Sequence, residues 1–273
     1  MTKRIRVFAG PNGSGKSSII KSIITTKVAD GKTLDFGIYV NADDIAVSLN
    51  KSGCNFDDFK VQATKEDILW IANYSGLINE TFSLDRFTNC ILVEDNHLKI
   101  DKDVAEEKDD SPVERVAQII ADYLRKKLLK KGEKFSFETV FSHKSKVDII
   151  REAEKEGYKV YLYFISTEHP DINVYRVKIV RVGKKGHDVD ETKIRERYYR
   201  SMELMYEAAQ HCYQAYFFDN SRQGEGHTMF AHFKINKDGI KLWDNMQQSS
   251  IPVWFRKYYS DKVKEIKKNN VGH

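Results

Sequence analysis

Short apolar runs alternate along the chain with longer stretches whose apolar residues recur every three or four positions. The first run, Ile5-Arg6-Val7-Phe8-Ala9, ends in Gly10-Pro11-Asn12-Gly13, and the residues after it, through Thr26, carry isoleucines at 19, 20, 23 and 24. That order predicts a strand, a glycine turn and a helix. Four further runs, Gly37 to Val40, Phe135 to Val140, Lys159 to Ser166 and Ala215 to Phe218, are rich in aromatic or β-branched residues and predict buried strands. Helical patterns separate most of them, so the predicted class is α/β with a largely parallel sheet.

The clearest helix spans 112 to 131. Ser111 can cap it, Pro112 suits its first turn and Glu114 completes a capping box, while Val113, Val116, Ala117, Ile120, Leu124 and Leu128 form one apolar stripe and Gly132 ends it. Further helices are expected at 145 to 156 and 191 to 209. Residues 51 to 110 fit the alternation less well: a helix is expected near 64 to 81, followed by an acidic stretch, and the segment reads as a helical insertion. From His227 the pattern predicts a hairpin, 228 to 235 and 240 to 243 around Asn236-Lys237-Asp238-Gly239, and then a basic helix. The expected organisation is a main domain over 1–226, interrupted by the insertion at about 51–110, with a C-terminal extension over 227–273 packed on it.

Composition narrows this only a little. With 41% hydrophobic and 31% charged residues, the chain is neither disordered nor fibrous. No apolar stretch approaches a membrane span and the N-terminus lacks a signal-peptide run, so the expected location is the cytoplasm. Cys54, Cys90 and Cys212 form no metal or disulfide pattern. The net charge of +5 is too small to imply nucleic acid by itself. Two clusters keep nucleic acid open as a partner: Arg125-Lys126-Lys127 with Lys130-Lys131, and the basic tail from Tyr258 to Lys268.

The chemistry concentrates in Gly10-Pro11-Asn12-Gly13-Ser14-Gly15-Lys16-Ser17, which matches G-x-x-x-x-G-K-[ST] between a predicted strand and a predicted helix. Pro11, Asn12, Gly13, Ser14, Gly15, Lys16, Ser17 and Ser18 are the expected nucleotide-binding residues. Backbone N–H groups and the helix N-terminus face phosphate oxygens, Lys16 adds charge as a solvated loop lysine, and the Ser17 hydroxyl is the expected magnesium ligand. GTPase switch and guanine motifs are absent, as is an apolar strand ending in Asp-Glu.

Asn41-Ala42-Asp43-Asp44 ends the second strand, where Asp43 is the candidate general base, Asn41 a candidate acceptor-binding residue and Asp44 the expected helix cap. Glu138 and Thr139 emerge from the third strand and are expected near the acceptor or the metal's water. Arg176, Arg181, Arg195, Arg197 and Arg200 flank a glycine-bordered loop at 183 to 190, a candidate lid whose Arg181 and Arg197 are expected to neutralise transition-state charge. His143 and His187 are read as loop-shaping residues.

In order, these motifs with Phe137-Glu138-Thr139-Val140-Phe141-Ser142-His143, Gly186-His187-Asp188-Val189 and Phe218-Asp219-Asn220-Ser221 resemble the zeta-toxin family, in its branch of predicted ATPases or kinases. The resemblance covers residues 4 to 221 apart from much of 51 to 110. It implies a P-loop kinase fold with a five-stranded parallel sheet and ATP with Mg2+ as phosphoryl donor. It further implies Asp43 as base, Lys16 and lid arginines as charge stabilisers, and Glu138 and Thr139 near the acceptor. Members of this family phosphorylate UDP-N-acetylglucosamine and are restrained by an antitoxin. Here Val140 to His143 stand where those toxins carry a further threonine and arginine. The expected activity is ATP-dependent phosphorylation of a small-molecule hydroxyl by a toxin-like kinase. The alternatives are a nucleic-acid end kinase and a non-catalytic ATP-binding switch.

Overall fold

The computed structural model describes residues 2–25, 31, 33–101, 112–181, 189–222, 226–244 and 250–271. The protein is a mixed α/β fold with a mostly parallel seven-stranded sheet flanked by helices. The strands are β1 (Arg4–Ala9), β2 (Ile38–Val40), β3 (Cys54–Asn55), β4 (Ile91–Glu94), β5 (His97–Ile100), β6 (Phe135–Thr139), β7 (Lys159–Ser166), β8 (Gln214–Asp219), β9 (Thr228–Ile235) and β10 (Lys241–Asp244). The principal helices are α1 (Lys16–Thr25), α2 (Ala42–Lys51), α3 (Lys65–Tyr74), α4 (Leu84–Cys90), α5 (Val113–Lys131), α6 (Ser145–Lys155), α7 (Pro170–Tyr175), α8 (Glu191–Gln210) and α9 (Asp261–Val271). Among the described residues no helix is long and apolar enough to cross a membrane. Backbone contacts divide the chain into two compact units, one of Met1–Phe36 with Ser136–His273 and one of Gly37–Phe135.

In the first unit the sheet order is β10-β9-β8-β7-β1-β6. β7 pairs in parallel with β1 and β8, from Arg4 opposite Lys159 to Ser166 opposite Asp219, so the carboxyl ends of these strands share one edge. Ile5, Val7, Phe8 and Ala9 of β1 are fully buried, as strand-sized apolar runs must be when helices cover both faces. The expected hairpin is present and extends the sheet antiparallel to β8. Its turn is set by the Asn236 side chain, which accepts from the N–H groups of Asp238 and Ile240. Aromatic rings anchor it: Phe255 lies 4.8 Å from both Phe217 and Tyr259, and Trp243 lies 5.0 Å from Phe233.

In the second unit α5 is buried more widely than its predicted stripe, because Ile119, Ala121, Tyr123 and Leu129 are also inside. It stops at Gly132, whose φ of 76° only glycine adopts without strain. Pro112 occupies its N-cap position without a side-chain bond, and the capping role expected of Ser111 falls outside the described residues. The helix expected over 64 to 81 is shorter. Thr64 caps it, and it ends at Tyr74 before Ser75-Gly76, after which Ser83 caps the separate α4. The insertion also holds a small antiparallel sheet, β3-β5-β4, that the pattern did not foresee. Its hairpin turns on Asp95 and Asn96, both at positive φ (48° and 59°). Asp and Asn tolerate that conformation, so a two-residue turn of this kind can join β4 to β5.

Candidate functional site

The phosphate-loop sequence folds as its residues require. β1 delivers the chain to the sheet edge, and Gly13 (φ 73°) and Gly15 (φ 96°) hold conformations that L side chains rarely adopt. A Cβ on Gly15 would lie 2.2 Å from the Asn220 amide nitrogen, and one on Gly13 would lie 2.7 Å from the Asn173 carbonyl oxygen. α1 then starts at Lys16, directing its first N–H groups toward the loop.

Lys16 departs from expectation. It is 6% exposed instead of solvated, and its Nζ donates to the carbonyl oxygens of Gly10 and Pro11 at 3.0 Å each. The ammonium is thereby held across the loop it is to serve. Ser17 Oγ lies 3.3 Å and 3.4 Å from the two Glu138 oxygens, and Lys16 Nζ is 3.9 Å from Glu138 Oε1. The sheet edge thus brings together Lys16, Ser17 and Glu138, three residues expected in one site. Thr139 beside them uses its hydroxyl locally, accepting from the N–H of Phe141 at 3.1 Å. Phe141 is fully buried at φ 62°, an uncommon conformation for a bulky residue, so the chain leaves β6 through a turn fixed by Thr139 and by Phe141 packed on Phe164.

Two polar residues that bond the loop, Asn173 and Asn220, and two that support Asn173, Thr167 and Tyr198, were not foreseen. Asn173 Nδ2 donates to the Asn12 carbonyl at 2.5 Å and its Oδ1 accepts from the Thr167 hydroxyl. Asn220 Nδ2 donates to the Ser14 carbonyl at 2.8 Å, while its own N–H bonds Ser166 at 2.9 Å. Tyr198 Oη supports Thr167 through its carbonyl at 2.7 Å. Asn220 stood in a motif the sequence supplied without a role. Thr167 carried no signal beyond its place after β7, and Asn173 none beyond its place in the short helix α7.

Two loop atoms, Ser14 Oγ and Asn12 Oδ1, are buried without a hydrogen-bond partner among the described residues, an arrangement that costs free energy until a ligand or water satisfies them. A hydroxyl donor, a buried ammonium, two glycines without Cβ and a helix N-terminus fit a polyphosphate. Magnesium in such sites takes one or two protein ligands with phosphate and water oxygens, which Ser17 and Glu138 can provide. The residues present therefore fit ATP and Mg2+.

The arginines separate by their partners. Arg195 is engaged by Asp171 (2.5 Å) and Glu191 (2.8 Å), and Arg200 by Glu196 (3.3 Å), all on the surface. Arg197 is half-buried with no carboxylate paired to it among the described residues, and burial and then the Arg200 charge lower its pKa. The pKa of Arg176 is likewise lowered by burial, opposed by Asp219, and its Nη1 is buried without a partner among the described residues. The side chain of Arg181 and most of the lid loop, His187 included, lie outside the described residues.

In the second unit, α2 begins one turn earlier than expected. Asn41, not Asp44, is its cap, with Oδ1 accepting from the Asp43 N–H at 2.9 Å. An amide that reaches N2 from an extended residue outcompetes a carboxylate already inside the helix. Asp43 and Asp44 thus both lie in the first turn, where the helix dipole favours their charge. Asp43 is exposed, and the Asp44 carboxyl is raised by partial burial and by Asp43 beside it.

Most of the first basic cluster is internally engaged. Arg125 is buried against Asp122 (3.1 Å), Lys126 pairs with Asp122 (3.2 Å), Lys127 with Asp67 (2.6 Å), and Lys131 donates to the Lys60 carbonyl. In the tail Tyr259 is buried against Phe255 and so offers no ring to a base. His143 accepts from the Ser145 N–H at 3.3 Å, the loop-shaping role expected of it.

An α/β protein with a phosphate loop at the carboxyl edge of its sheet is the class this geometry defines. No protein-family model matches the chain, and no curated protein matches it. Among solved structures it is similar to a chain of the AvrRxo1-ORF1:AvrRxo1-ORF2 complex crystallised with sulphate ions, at 16% identity and TM-score 0.52 over 92% of this chain. It is similar also to the same complex crystallised with ATP, at 17% identity and TM-score 0.51 over 89%. This chain spans 66% and 61% of the length of those two chains. A structure of the PezAT chromosomal toxin–antitoxin system of Streptococcus pneumoniae matches at 12% identity and TM-score 0.42, over 99% of this chain and 86% of that one. The AvrRxo1 likenesses show a shared fold.

Proposed function

We propose that this protein is an ATP-dependent phosphotransferase that phosphorylates a hydroxyl of a small molecule, as a toxin kinase restrained by an antitoxin protein. The observation that carries the proposal is the meeting of Lys16, Ser17 and Glu138 at the glycine-lined N-terminus of α1. The AvrRxo1 complex of similar fold, crystallised with ATP, supports the choice of nucleotide. ATP with Mg2+, when bound, supplies the phosphoryl group and shields its charge.

The chain's own residues have the following roles. Pro11 to Ser18 hold the nucleotide phosphates, with Lys16 the fixed positive charge, Ser17 the metal ligand and Glu138 the orienter of the metal's water. Asp43 accepts the proton of the attacking hydroxyl. Arg197 and Arg181 stabilise charge that develops on the transferred group. Asn41 and Thr139 contact the acceptor. A sugar nucleotide is the first acceptor to test, and the setting is the cytoplasm. The nucleic-acid alternative loses ground because most of the first basic cluster is engaged by carboxylates and backbone and the tail's Tyr259 ring is buried.

The test is single-turnover transfer from γ-labelled ATP to sugar nucleotides, nucleosides and oligonucleotides. Label on a sugar nucleotide or nucleoside supports the proposal, with Lys16→Ala expected to abolish transfer. Label on oligonucleotides alone, or ATP binding unchanged in Lys16→Ala, overturns it.

A further inference from the structure

Trp254, in the short helical turn Val253–Phe255 of the first unit, is 2% exposed, and its ring lies among Phe230 (5.4 Å), Phe255 (5.9 Å) and Phe164 (6.2 Å). Packing of that kind accounts for a large apolar ring but not for its N–H. Trp254 Nε1 donates to Asp219 Oδ1 at 2.9 Å, at the carboxyl end of β8. The same carboxylate sets the turn that follows, accepting from the Ser221 hydroxyl at 2.7 Å and from the Ser221 N–H at 3.2 Å. Ser221 Oγ in turn accepts from the Glu168 N–H at 2.8 Å. The Glu168 carboxylate receives the N–H groups of Val253 and Trp254. These bonds run in a closed circuit from the C-terminal segment through the ends of β8 and β7. Asn220, the residue inside the turn, is the one whose Nδ2 reaches the Ser14 carbonyl at 2.8 Å.

We propose that Trp254 is a positioning residue for the nucleotide: through Asp219 it fixes the turn that presents Asn220 to the phosphate loop. The inference rests on the phosphotransferase reading, since it concerns the loop assigned there to ATP. An aspartate side chain can turn about two bonds, and its hold on Ser221 follows whichever orientation it takes. A charge-assisted bond from a buried indole, itself wedged among three rings, keeps the carboxylate in one of them. Orientation matters because the fit beyond it is narrow. The Asn220 nitrogen stands 2.2 Å from where a Cβ on Gly15 would lie, so a shift of the turn either loses the Ser14 bond or presses on the loop. Ser14 belongs to the stretch whose N–H groups are to meet the phosphates, and a small misplacement there is felt in binding. Packing alone needs only the ring of Trp254, whereas positioning needs its N–H.

The test is calorimetric titration of the full chain with ATP and Mg2+. Trp254→Phe keeps an aromatic ring in the cluster and removes the donor. It should weaken ATP binding about tenfold, close to the worth of one hydrogen bond to a charged group, and by no more than Asn220→Ala does. Ser221→Ala breaks the same path at a partly exposed residue on which no core packing depends, and it should weaken binding in the same direction. In an Asn220→Ala background either substitution should add nothing further, because the path acts only through that amide. A tryptophan that merely packs would lower the melting temperature and leave ATP affinity alone, or its effect would add to that of Asn220→Ala. Wild-type affinity in Trp254→Phe and Ser221→Ala, or additive losses in the double variants, would overturn the proposal. Should Trp254→Phe fail to fold, Ser221→Ala alone and with Asn220→Ala decides it. A wild-type chain that binds no ATP would sink the phosphotransferase reading and this inference together. Binding and transfer that neither substitution affects would sink the inference alone.

Discussion

In the first unit the phosphate loop is held by side chains from three other segments, whereas in the second the first turn of α2 is held by its own Asn41. Asn173 and Asn220 reach the loop from residues more than 150 positions away in sequence and bond its carbonyl groups directly. Lys16 closes the loop from within. By contrast, Asp43 and Asp44 project from a helix start whose cap, Asn41, bonds residues two positions away, the Asp43 N–H and the Tyr39 hydroxyl. The difference matches what each region is proposed to hold. A polyphosphate has one geometry in every nucleotide, so its cradle can be over-determined. An acceptor varies between enzymes of one fold, and a helix turn lets its residues change without disturbing the sheet.

The largest effect should come where the first unit presents a charge that no carboxylate pairs among the described residues. Arg197→Ala should lower single-turnover kcat on the order of 10³-fold with little change in ATP KM, because a cation acting on developing charge matters in the transition state. Arg197→Lys should recover part of the rate, since lysine lacks the planar fork. Arg195→Ala, whose guanidinium is already engaged by Asp171 and Glu191, is the control and should leave the rate near wild type. Equal rates for Arg197→Ala and wild type would transfer the role to Arg176 or Arg181.

Next is Asp43→Asn in the second unit, expected to cut kcat by about 10²–10⁴-fold while ATP binding by calorimetry is unchanged. Asp44→Asn should have a smaller effect on kcat and act through KM of the acceptor. The reverse order of the two would make Asp44 the base.

These contrasts also explain what was legible in the sequence. The phosphate loop could be read because its function is carried by backbone conformation, and the glycines that permit it occur at fixed spacing. The five parallel strands were legible because burial on both faces demands continuous apolar runs. The ties from Asn173 and Thr167 were not, since a single polar residue in a short helix or after a strand looks the same whether it meets water or a loop carbonyl. The β4–β5 hairpin was missed although Asp95-Asn96 gives a turn signal, because its four-residue strands are too short to establish alternation. The cap role of Asn41 was not foreseen. Asn, Asp and Ser compete almost equally for an N-cap, so Asn41 and Asp44 could be told apart only by where α2 begins.

The smallest effects separate the two regions by stability. Asn220→Ala removes a donor from the Ser14 carbonyl inside the loop, and a buried acceptor left unsatisfied costs about 1–3 kcal/mol. It should therefore lower the melting temperature and weaken ATP binding together, because the same bond sets the loop's shape. Asn41→Ala removes a cap, worth about 1 kcal/mol, that is local to its own turn. Its cost should appear in thermal unfolding of α2 and in acceptor KM, with ATP affinity unchanged. Paired measurements of melting temperature and ATP affinity on the two variants decide the matter. If Asn41→Ala weakens ATP binding as much as Asn220→Ala does, the helix start belongs to the nucleotide cradle and the contrast between a fixed phosphate end and an adjustable acceptor end fails.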